Sequence, residues 1–300
     1  MSRRIELIAP AKINWTLEVL RIRPDGYHEI RSVLQTIDLH DTVTLRDAPD
    51  ITLEITGPAG ATLRDEAPER NLAHRAAVAL RERVGVQRGV HIGLEKRIPV
   101  AAGLGGGSSD AAAVLRGLDL LWELHQPQMN LVEIAGEVGS DPPFFVVGGT
   151  ASVHGRGDAV DALPDAIAGP MLLAVPPAGE RGDKTARMFG ALSPDNFSEG
   201  EATLGLREAV DAARPLSDAE LSNVFERVIA TTQPETALAI DALSAQGVVP
   251  HLAGAGPSFF LLLRDASAFD AISPRVRDLG FEPQLVQALP RADALRYTVV

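Results

Sequence analysis

Alternating apolar and polar residues predict β-strands in the first third of the chain. Over residues 11–20 the apolar Ile13, Trp15, Leu17 and Val19 alternate with more polar side chains, which is the period-two pattern of a half-buried strand. The same alternation predicts a short separate strand over residues 5–9. Further strands are predicted over residues 33–39, 43–45, 51–55 and 90–94.

Apolar residues at helical spacing predict helices between and after these strands. Asn71 is a good N-cap for a helix that reaches Val84 and ends at Gly85. A second helix, rich in alanine and leucine, is predicted over residues 111–124, with its N-cap among Ser108, Ser109 and Asp110.

A third helix and a following strand are predicted before residue 150. Asn130 and Glu133 form an Asn-x-x-Glu capping box, which is typical of a helix start. An apolar strand is predicted after Pro142 and Pro143. Antiparallel strands with helices beside them indicate an α+β fold for this part of the chain.

The pattern changes after residue 162, and we expect two domains, over residues 1–162 and 163–300. Residues 163–169 are predicted to form a linker. The second domain, also α+β, is predicted to have strands over residues 171–175, 259–263 and 297–300, and helices over residues 183–189, 217–230, 234–246 and 267–279.

A glycine-dense loop before the second helix is the clearest motif. It runs Pro99-Val100-Ala101-Ala102-Gly103-Leu104-Gly105-Gly106-Gly107-Ser108-Ser109. Glycine allows a tight backbone and a close approach to a ligand, and a helix start offers free N–H groups and a positive dipole end. The loop therefore predicts a phosphate site; the alternative is a flexible loop before a capped helix.

Two familiar glycine motifs fit this loop poorly. The Walker form requires a lysine after its last glycine, and none follows a glycine here. The dinucleotide fingerprint finds Ser108 in the place of its third glycine.

Composition and charge limit the function classes. The chain has 300 residues, of which 45% are hydrophobic and 23% charged, which is ordinary for a soluble protein with a sizeable core. A net charge of -12 argues against broad binding of nucleic acid or of an anionic membrane, so neither is an expected partner. The absence of cysteine excludes thiolate catalysis and is compatible with the cytoplasm, where we expect the protein to act. We expect neither a signal peptide nor a membrane span, because the sequence shows no apolar run long enough for either.

Lysine is rare in this chain, with Lys12, Lys96 and Lys184 the only three among 28 basic residues. A lysine retained in an arginine-rich chain can serve chemistry that needs a compact ammonium group. We interpret Lys96, which lies between glutamate and arginine, as a solvated surface residue. For Lys12 the surface and the functional interpretation stay equally open.

Tyr27, His28 and Asp141 are further candidates beside turns. Tyr27 and His28 follow the turn Arg23-Pro-Asp-Gly26 and could bind a nucleobase, although a place at the edge of the core is slightly favoured. Asp141, held before two prolines, could act as a general base, although aspartate before proline is more often a turn residue.

Five motifs in chain order resemble the galactokinase–homoserine kinase–mevalonate kinase–phosphomevalonate kinase (GHMP) superfamily. They are Pro10-Ala-Lys-Ile-Asn14, Pro24-Asp-Gly-Tyr-His28, Gly103-Leu-Gly-Gly-Gly-Ser-Ser-Asp-Ala-Ala112, Gly139-Ser-Asp141 with Phe144-Phe145, and Ala253-Gly-Ala-Gly-Pro257. The first two are most similar to members that phosphorylate a cytidyl diphosphate sugar alcohol in non-mevalonate isoprenoid synthesis. The resemblance implies an N-terminal domain like ribosomal protein S5 domain 2, a ferredoxin-like C-terminal domain, and substrates in the cleft between them.

The resemblance also implies roles for individual residues. A hydroxyl of a small-molecule substrate would be phosphorylated by ATP with Mg²⁺. The protein would be a monomer or a homodimer. The resemblance implies no particular metal ligand. Asp141 matches the catalytic base, and Lys12 its partner, either orienting the carboxylate or clamping phosphate. Residues 99–109 match the ATP phosphate loop. The implied substrate-binding residues are Asn14, Tyr27, His28, Asp141 and Phe189.

Other functions stay open beside this one. A kinase of homoserine or of a mevalonate derivative would share the glycine loop but would not need Tyr27 and His28. A non-catalytic nucleotide-binding module would not need Lys12 and Asp141. Neither Gly-x-Ser-x-Gly nor His-Glu-x-x-His, the motifs typical of hydrolases, is present.

Overall fold

The fold is described by a computed structural model covering residues 3–177 and 184–300. Its strands are β1 (Arg4–Ile22), β2 (His28–Ala48), β3 (Ile51–Thr56), β4 (Gly89–Glu95), β5 (Thr150–Gly155), β6 (Ala159–Ala162), β7 (Met171–Val175), β8 (Ser222–Asn223), β9 (His251–Leu252), β10 (Phe259–Leu262), β11 (Glu282–Val286) and β12 (Tyr297–Val299). Its helices are α1 (Leu72–Val84), α2 (Gly106–Trp122), α3 (Gln128–Val138), α4 (Pro142–Val147), α5 (Lys184–Gly190), α6 (Glu201–Asp211), α7 (Ile229–Thr232), α8 (Pro234–Ser244), α9 (Ala268–Asp278) and α10 (Arg291–Ala294). None of these helices has the length and apolar character needed to cross a membrane.

Two sheets organise the described residues. The first has eight strands, with the path β12-β1-β2-β4-β3, β5 and β6 beside β2, and β8 beside β1. The second has four strands in the order β11-β7-β10-β9. Pairing is antiparallel except between β3 and β4 and between β1 and β8. The mixed α and β content confirms the expected α+β class.

A register shift in β1 decides which side chains reach each core. The ladder with β2 shifts between Pro10 and Ala11, where proline lacks the N–H that a regular ladder needs. Before the shift, Ile5 and Leu7 pack in one core with α1–α4; after it, Ile13 and Trp15 pack in a second core, with residues of β7 and β10. The predicted strands over residues 5–9 and 11–20 are therefore one bulged strand, and the prediction of two was wrong.

The second long strand was also predicted as pieces. Residues 33–39 and 43–45 lie in the single strand β2, which pairs with β1, β4 and β5 along its length. The sheet continues because backbone hydrogen bonds, not side chains, hold this strand between its neighbours.

Helix starts show where local signals succeed and fail. Asn71 caps α1 as predicted, its side chain accepting a hydrogen bond from the N–H of Ala73, and Gly85 ends the helix in the left-handed conformation. The N-cap of α2 is Gly105, so Ser108, Ser109 and Asp110 lie inside the helix and not before it. Asn130 likewise lies inside α3, which begins directly after Pro127, and its predicted capping box was wrong.

Two further predictions of secondary structure were wrong. The apolar residues after Asp141 form the helix α4 and not a strand, because prolines in the first turn have a φ already suited to a helix. The helix predicted over residues 217–230 was also wrong, because the capping box of Ser217 and Glu220 caps only one 3₁₀ turn.

The closing strand joins the first sheet. Tyr297–Val299 pairs with β1, so its expected place in the sheet of the second domain was wrong. The helices predicted over residues 234–246 and 267–279 are confirmed as α8 and α9. The domain boundary at residue 162 stays a prediction.

Candidate functional site

The residues proposed from sequence meet around one cleft of about 1040 Å³. Its walls come from β1, from the glycine loop and from α5, so both halves of the chain contribute. The cleft walls include Lys12, Asn14, Tyr27, His28, Asp141, Phe189 and residues 99–108. Ser109, the last residue of the predicted phosphate loop, is instead buried in α2 and does not line the cleft.

Two glycines of the phosphate loop have no space for a side chain. Gly103 has φ +82, and a Cβ there would lie 2.6 Å from the carbonyl oxygens of Ala253 and Gly256. Gly105 has φ +73, and its Cβ would lie 2.7 Å from the Phe145 ring. The loop therefore packs its backbone directly on the second glycine loop, over residues 253–257, which forms part of the opposite wall.

The start of α2 supplies backbone donors to the cleft. Ser109 N donates to Gly105 O at 2.9 Å and closes the first helical turn. The N–H groups of Gly106, Gly107 and Ser108 precede it, where a helix has no internal acceptor. All three residues line the cleft. Together with the positive end of the helix dipole, these groups form a site suited to an anion.

The bulge in β1 turns Lys12 and Asn14 toward the start of α2. They lie on the face opposite Ile13, and the Lys12 Nζ donates to the Asn14 Oδ1 at 2.9 Å. The Asn14 amide in turn donates to the Ser32 Oγ at 2.9 Å. Lys12 is only 6% exposed, so it is not a solvated surface residue. Burial lowers the pKa of Lys12, and the negative charge of Asp141 opposes that shift.

Asp141 stands at the N-terminal end of α4 and lines the same cleft as Lys12. Pro142 and Pro143 follow it inside the helix and are buried, which fixes the backbone from which the carboxylate projects. Because its charge acts on Lys12, the two groups form an electrostatic pair across the cleft.

Aromatic residues line another part of the cleft. The rings of His28 and Phe189 stack with centroids 4.9 Å apart and an angle of 26°. Burial lowers the pKa of His28, which favours the neutral ring with one donor and one acceptor nitrogen. Tyr27 is 54% exposed and carries the Arg156 guanidinium 5.1 Å from its ring centroid, so it is not a residue of the core.

Lys96 was predicted on the surface, and this prediction was wrong. It is 2% exposed, and its Nζ donates to carboxylate oxygens of Asp41 and Asp110. Asp41 also accepts the N–H groups of Arg97 and Ile98, at 2.5 and 2.8 Å. These ion pairs hold both ends of the phosphate loop. The alternation Val90, Ile92, Leu94, Lys96 could have revealed the burial, because it continues the inner face of β4.

The carboxyl group of Asp110 has an unusual environment. Burial raises the pKa of Asp110 to about 7, against the opposing effect of Lys96. Its Oδ1 has no hydrogen-bond partner among the residues that the structure describes, as is true of the buried Ser109 Oγ. A carboxyl in this setting binds its proton far more tightly than one in water.

The third lysine also reaches the phosphate loop. Lys184, at the start of α5, is 8% exposed and donates from its Nζ to the Ala101 carbonyl. Burial lowers the pKa of Lys184 to about 8. Sequence analysis assigned no role to this residue, and Asp183, the first residue of the helix predicted over residues 183–189, lies outside the described residues. Among the described residues, no group of three or more histidines or acidic residues is arranged to hold a metal ion.

Comparison with known proteins shows which family the chain is similar to. Residues 71–149 match a family described as GHMP kinases N terminal domain. A 4-diphosphocytidyl-2-C-methyl-D-erythritol kinase of Dehalococcoides mccartyi is 39% identical over 290 residues, covering 96% of this chain and all of that protein.

Solved structures share the architecture. A crystal structure of 4-(cytidine 5'-diphospho)-2C-methyl-D-erythritol kinase matches with a TM-score of 0.73 and 31% identity, over 94% of this chain and 98% of that one. A homoserine kinase from Cytophaga hutchinsonii also matches with a TM-score of 0.73, over 99% of this chain and 97% of that one, but at 18% identity. The second similarity shows the fold alone.

Proposed function

Because the chain belongs to the 4-diphosphocytidyl-2-C-methyl-D-erythritol kinase family, we propose that it transfers the γ-phosphoryl group of ATP to the 2-hydroxyl of that sugar alcohol. The products would be ADP and the 2-phosphate, an intermediate of the non-mevalonate route to isopentenyl diphosphate. Membership of this family makes the chain an ATP-dependent kinase. The observation that carries the substrate assignment is the single cleft that joins the phosphate loop, the pair of Lys12 and Asp141, and the stacked rings of His28 and Phe189.

The phosphate loop would bind the triphosphate of ATP. Phosphoryl transfer depends chiefly on positioning and on stabilising charge, which backbone amides and a helix dipole provide without rearrangement. The N–H groups at the start of α2 have this orientation, and Gly103 and Gly105 let the backbone bend toward them.

Magnesium fits the oxygen donors that line this cleft. Mg²⁺ usually keeps water and phosphate ligands and takes only one or two protein oxygens, so a dedicated metal cluster is not required. The Ser108 hydroxyl, which lines the cleft, is the proposed protein donor. When bound, Mg²⁺ would neutralise charge on the phosphates.

Asp141 would act as the general base. Its carboxylate takes the proton of the 2-hydroxyl while that oxygen forms its bond to the γ-phosphorus, and the bond from the γ-phosphorus to the β,γ-bridging oxygen breaks to release ADP. Lys12, on whose pKa the Asp141 charge acts, would orient this carboxylate or contact the phosphate, and it is held in place by Asn14.

The cytidine of the acceptor would lie against the aromatic wall. Phe189 and Tyr27 offer faces for stacking on cytosine, and a neutral His28 offers both a donor and an acceptor for its edge. All these residues lie on one chain, so a monomer or a homodimer would serve equally. We place the reaction in the cytoplasm, in line with the cysteine-free composition.

Release of ADP with a panel of acceptors tests the proposal. The purified protein is incubated with Mg–ATP and 4-diphosphocytidyl-2-C-methyl-D-erythritol, homoserine or mevalonate. We expect turnover with the cytidyl substrate alone, and a new phosphate monoester in the phosphorus NMR spectrum of the product. Turnover of homoserine or mevalonate in preference would contradict the substrate assignment, and ATP binding without turnover of any acceptor would support a non-catalytic module.

A further inference from the structure

All three lysines of the chain are buried beside the phosphate loop or the helix α2 that follows it. The Lys12 N–H donates to the Leu104 carbonyl at 3.0 Å, and Lys96 binds Asp110 in the first turns of α2. Lys184 comes from the other half of the chain and donates to Ala101, whose φ of 58 turns it into the left-handed region. The other 25 of the 28 basic residues are arginines. Lysine thus occurs in this chain only beside the phosphate loop or, as Lys96, beside the helix that follows it.

Lys184 differs from the other two lysines in the partners that it has among the described residues. Lys96 has two carboxylates, and Lys12 has Asp141 nearby. Among the described residues, the hydrogen-bond acceptor of Lys184 is one neutral carbonyl, and the charge that acts on it is the positive charge of Arg187. A buried ammonium whose described acceptor is a neutral carbonyl is costly, so this arrangement suits a site that an anion completes.

Lys184 lies directly behind the wall of the cleft and is not itself one of the lining residues. The residues that follow it on α5, Thr185, Ala186 and Phe189, line the cleft, and so does its acceptor Ala101. The ammonium therefore lies where the wall of the nucleoside pocket meets the phosphate loop. An anion bound at the start of α2 or against α5 would find this ammonium at the edge of its site.

We propose that Lys184 is a further phosphate-binding residue, whose ammonium exchanges the Ala101 carbonyl for a phosphate oxygen of a bound substrate. This rests on the proposed function, which supplies two sources of that chemistry. One is the triphosphate of ATP, and the other is the diphosphate of the acceptor. In both cases a flexible four-carbon stem lets the ammonium move a short distance from carbonyl to phosphate.

Calorimetric titration distinguishes the two sources. The non-hydrolysable ATP analogue AMP-PNP, with Mg²⁺, and cytidine diphosphate are each titrated into the wild type, Lys184→Met, Lys184→Gln and Lys184→Arg. We expect Lys184→Met and Lys184→Gln to weaken one of the two ligands about 10- to 100-fold, as for loss of a charge-assisted hydrogen bond, and Lys184→Arg to recover much of that loss. The ligand that is weakened identifies the source.

The glutamine variant separates phosphate binding from a structural role. Its amide can still donate to the Ala101 carbonyl but carries no charge, so a purely structural role predicts binding like the wild type. That result, or equal binding by Lys184→Met, would overturn the proposal for Lys184 alone. Arg264→Met is the matched control, because it removes one positive charge from a side chain that is 92% exposed; we expect it to bind both ligands like the wild type. A wild type that binds neither ligand would instead contradict the proposed function.

Discussion

Replacing Gly103 with alanine tests whether the close contact of the two glycine loops holds the ATP site. At this residue φ is +82, which costs an L-residue about 1–2 kcal/mol. The added Cβ would also lie 2.6 Å from two carbonyl oxygens, both of them backbone atoms that no rotamer change can move. Overpacking of this kind costs about 1–3 kcal/mol. We therefore expect Gly103→Ala to lower the free energy of unfolding by about 2–5 kcal/mol, the sum of the two ranges.

Activity should fall in addition to stability, because the loops must separate to admit the methyl group. A misplacement of about 1 Å at a catalytic site can cost about 100-fold in rate. We expect kcat/KM for ATP to fall about 10- to 100-fold. The assay is run at a temperature at which the variant is still folded. Denaturant unfolding and steady-state kinetics at saturating acceptor measure the two effects.

Gly205→Ala in α6 is the control for this experiment. Nothing lies within 4 Å of the added Cβ, and the residue is outside the cleft walls. We expect it to stabilise the protein by about 0.5–1 kcal/mol, as alanine does in a helix, with unchanged kinetics. If Gly103→Ala behaved in the same way as Gly205→Ala, the loop contact would have no part in building the site.

Three further predictions concern other parts of the cleft. Tyr27→Ala should raise KM for the cytidyl substrate more than KM for ATP in steady-state assays, and equal effects would argue against stacking on the base. Lys96→Met should destabilise the protein by about 3–5 kcal/mol in urea unfolding, since it leaves two buried carboxylates unpaired, and a loss below about 1 kcal/mol would contradict the buried ion pairs. Burial raises the folded pKa of Asp110 from 3.8 to about 7, so its stabilising contribution is complete at low pH and is lost as pH rises through 7. The free energy of unfolding should therefore fall between pH 4 and 8, and Asp110→Asn should remove this contribution to the fall. The same pH dependence in the variant and the wild type would contradict the prediction.

The sequence predicted the site motifs better than the elements that carry them. Alternation identified Ile13 and Trp15 as buried and placed Lys12 and Asn14 on the other face. It could not reveal the register shift at Pro10, because a bulge depends on how two distant segments pair. That shift turns Lys12 toward α2, so the geometry of the site arises from tertiary pairing.

The residues that were hardest to predict are those whose neighbours in sequence suggest a different environment from the one the fold provides. Glu95 and Arg97 made Lys96 look solvated, yet its partners Asp41 and Asp110 lie 55 and 14 residues away in sequence, and only the fold brings them together. The serines after the glycine loop are good caps in isolation, but Gly105 already starts the helix in a conformation that glycine adopts easily. Phe189 could not be paired with His28 from sequence, since the two are brought together by α5 and β2.

The most direct test of the account is the turnover of Asp141→Asn with the cytidyl substrate. Asparagine keeps the size of the side chain but cannot take the hydroxyl proton, so we expect kcat to fall about 10²- to 10⁴-fold. The dissociation constant of AMP-PNP, measured on the same preparation, should stay close to that of the wild type. A kcat near the wild-type value would contradict the role of Asp141 as the base that activates the acceptor.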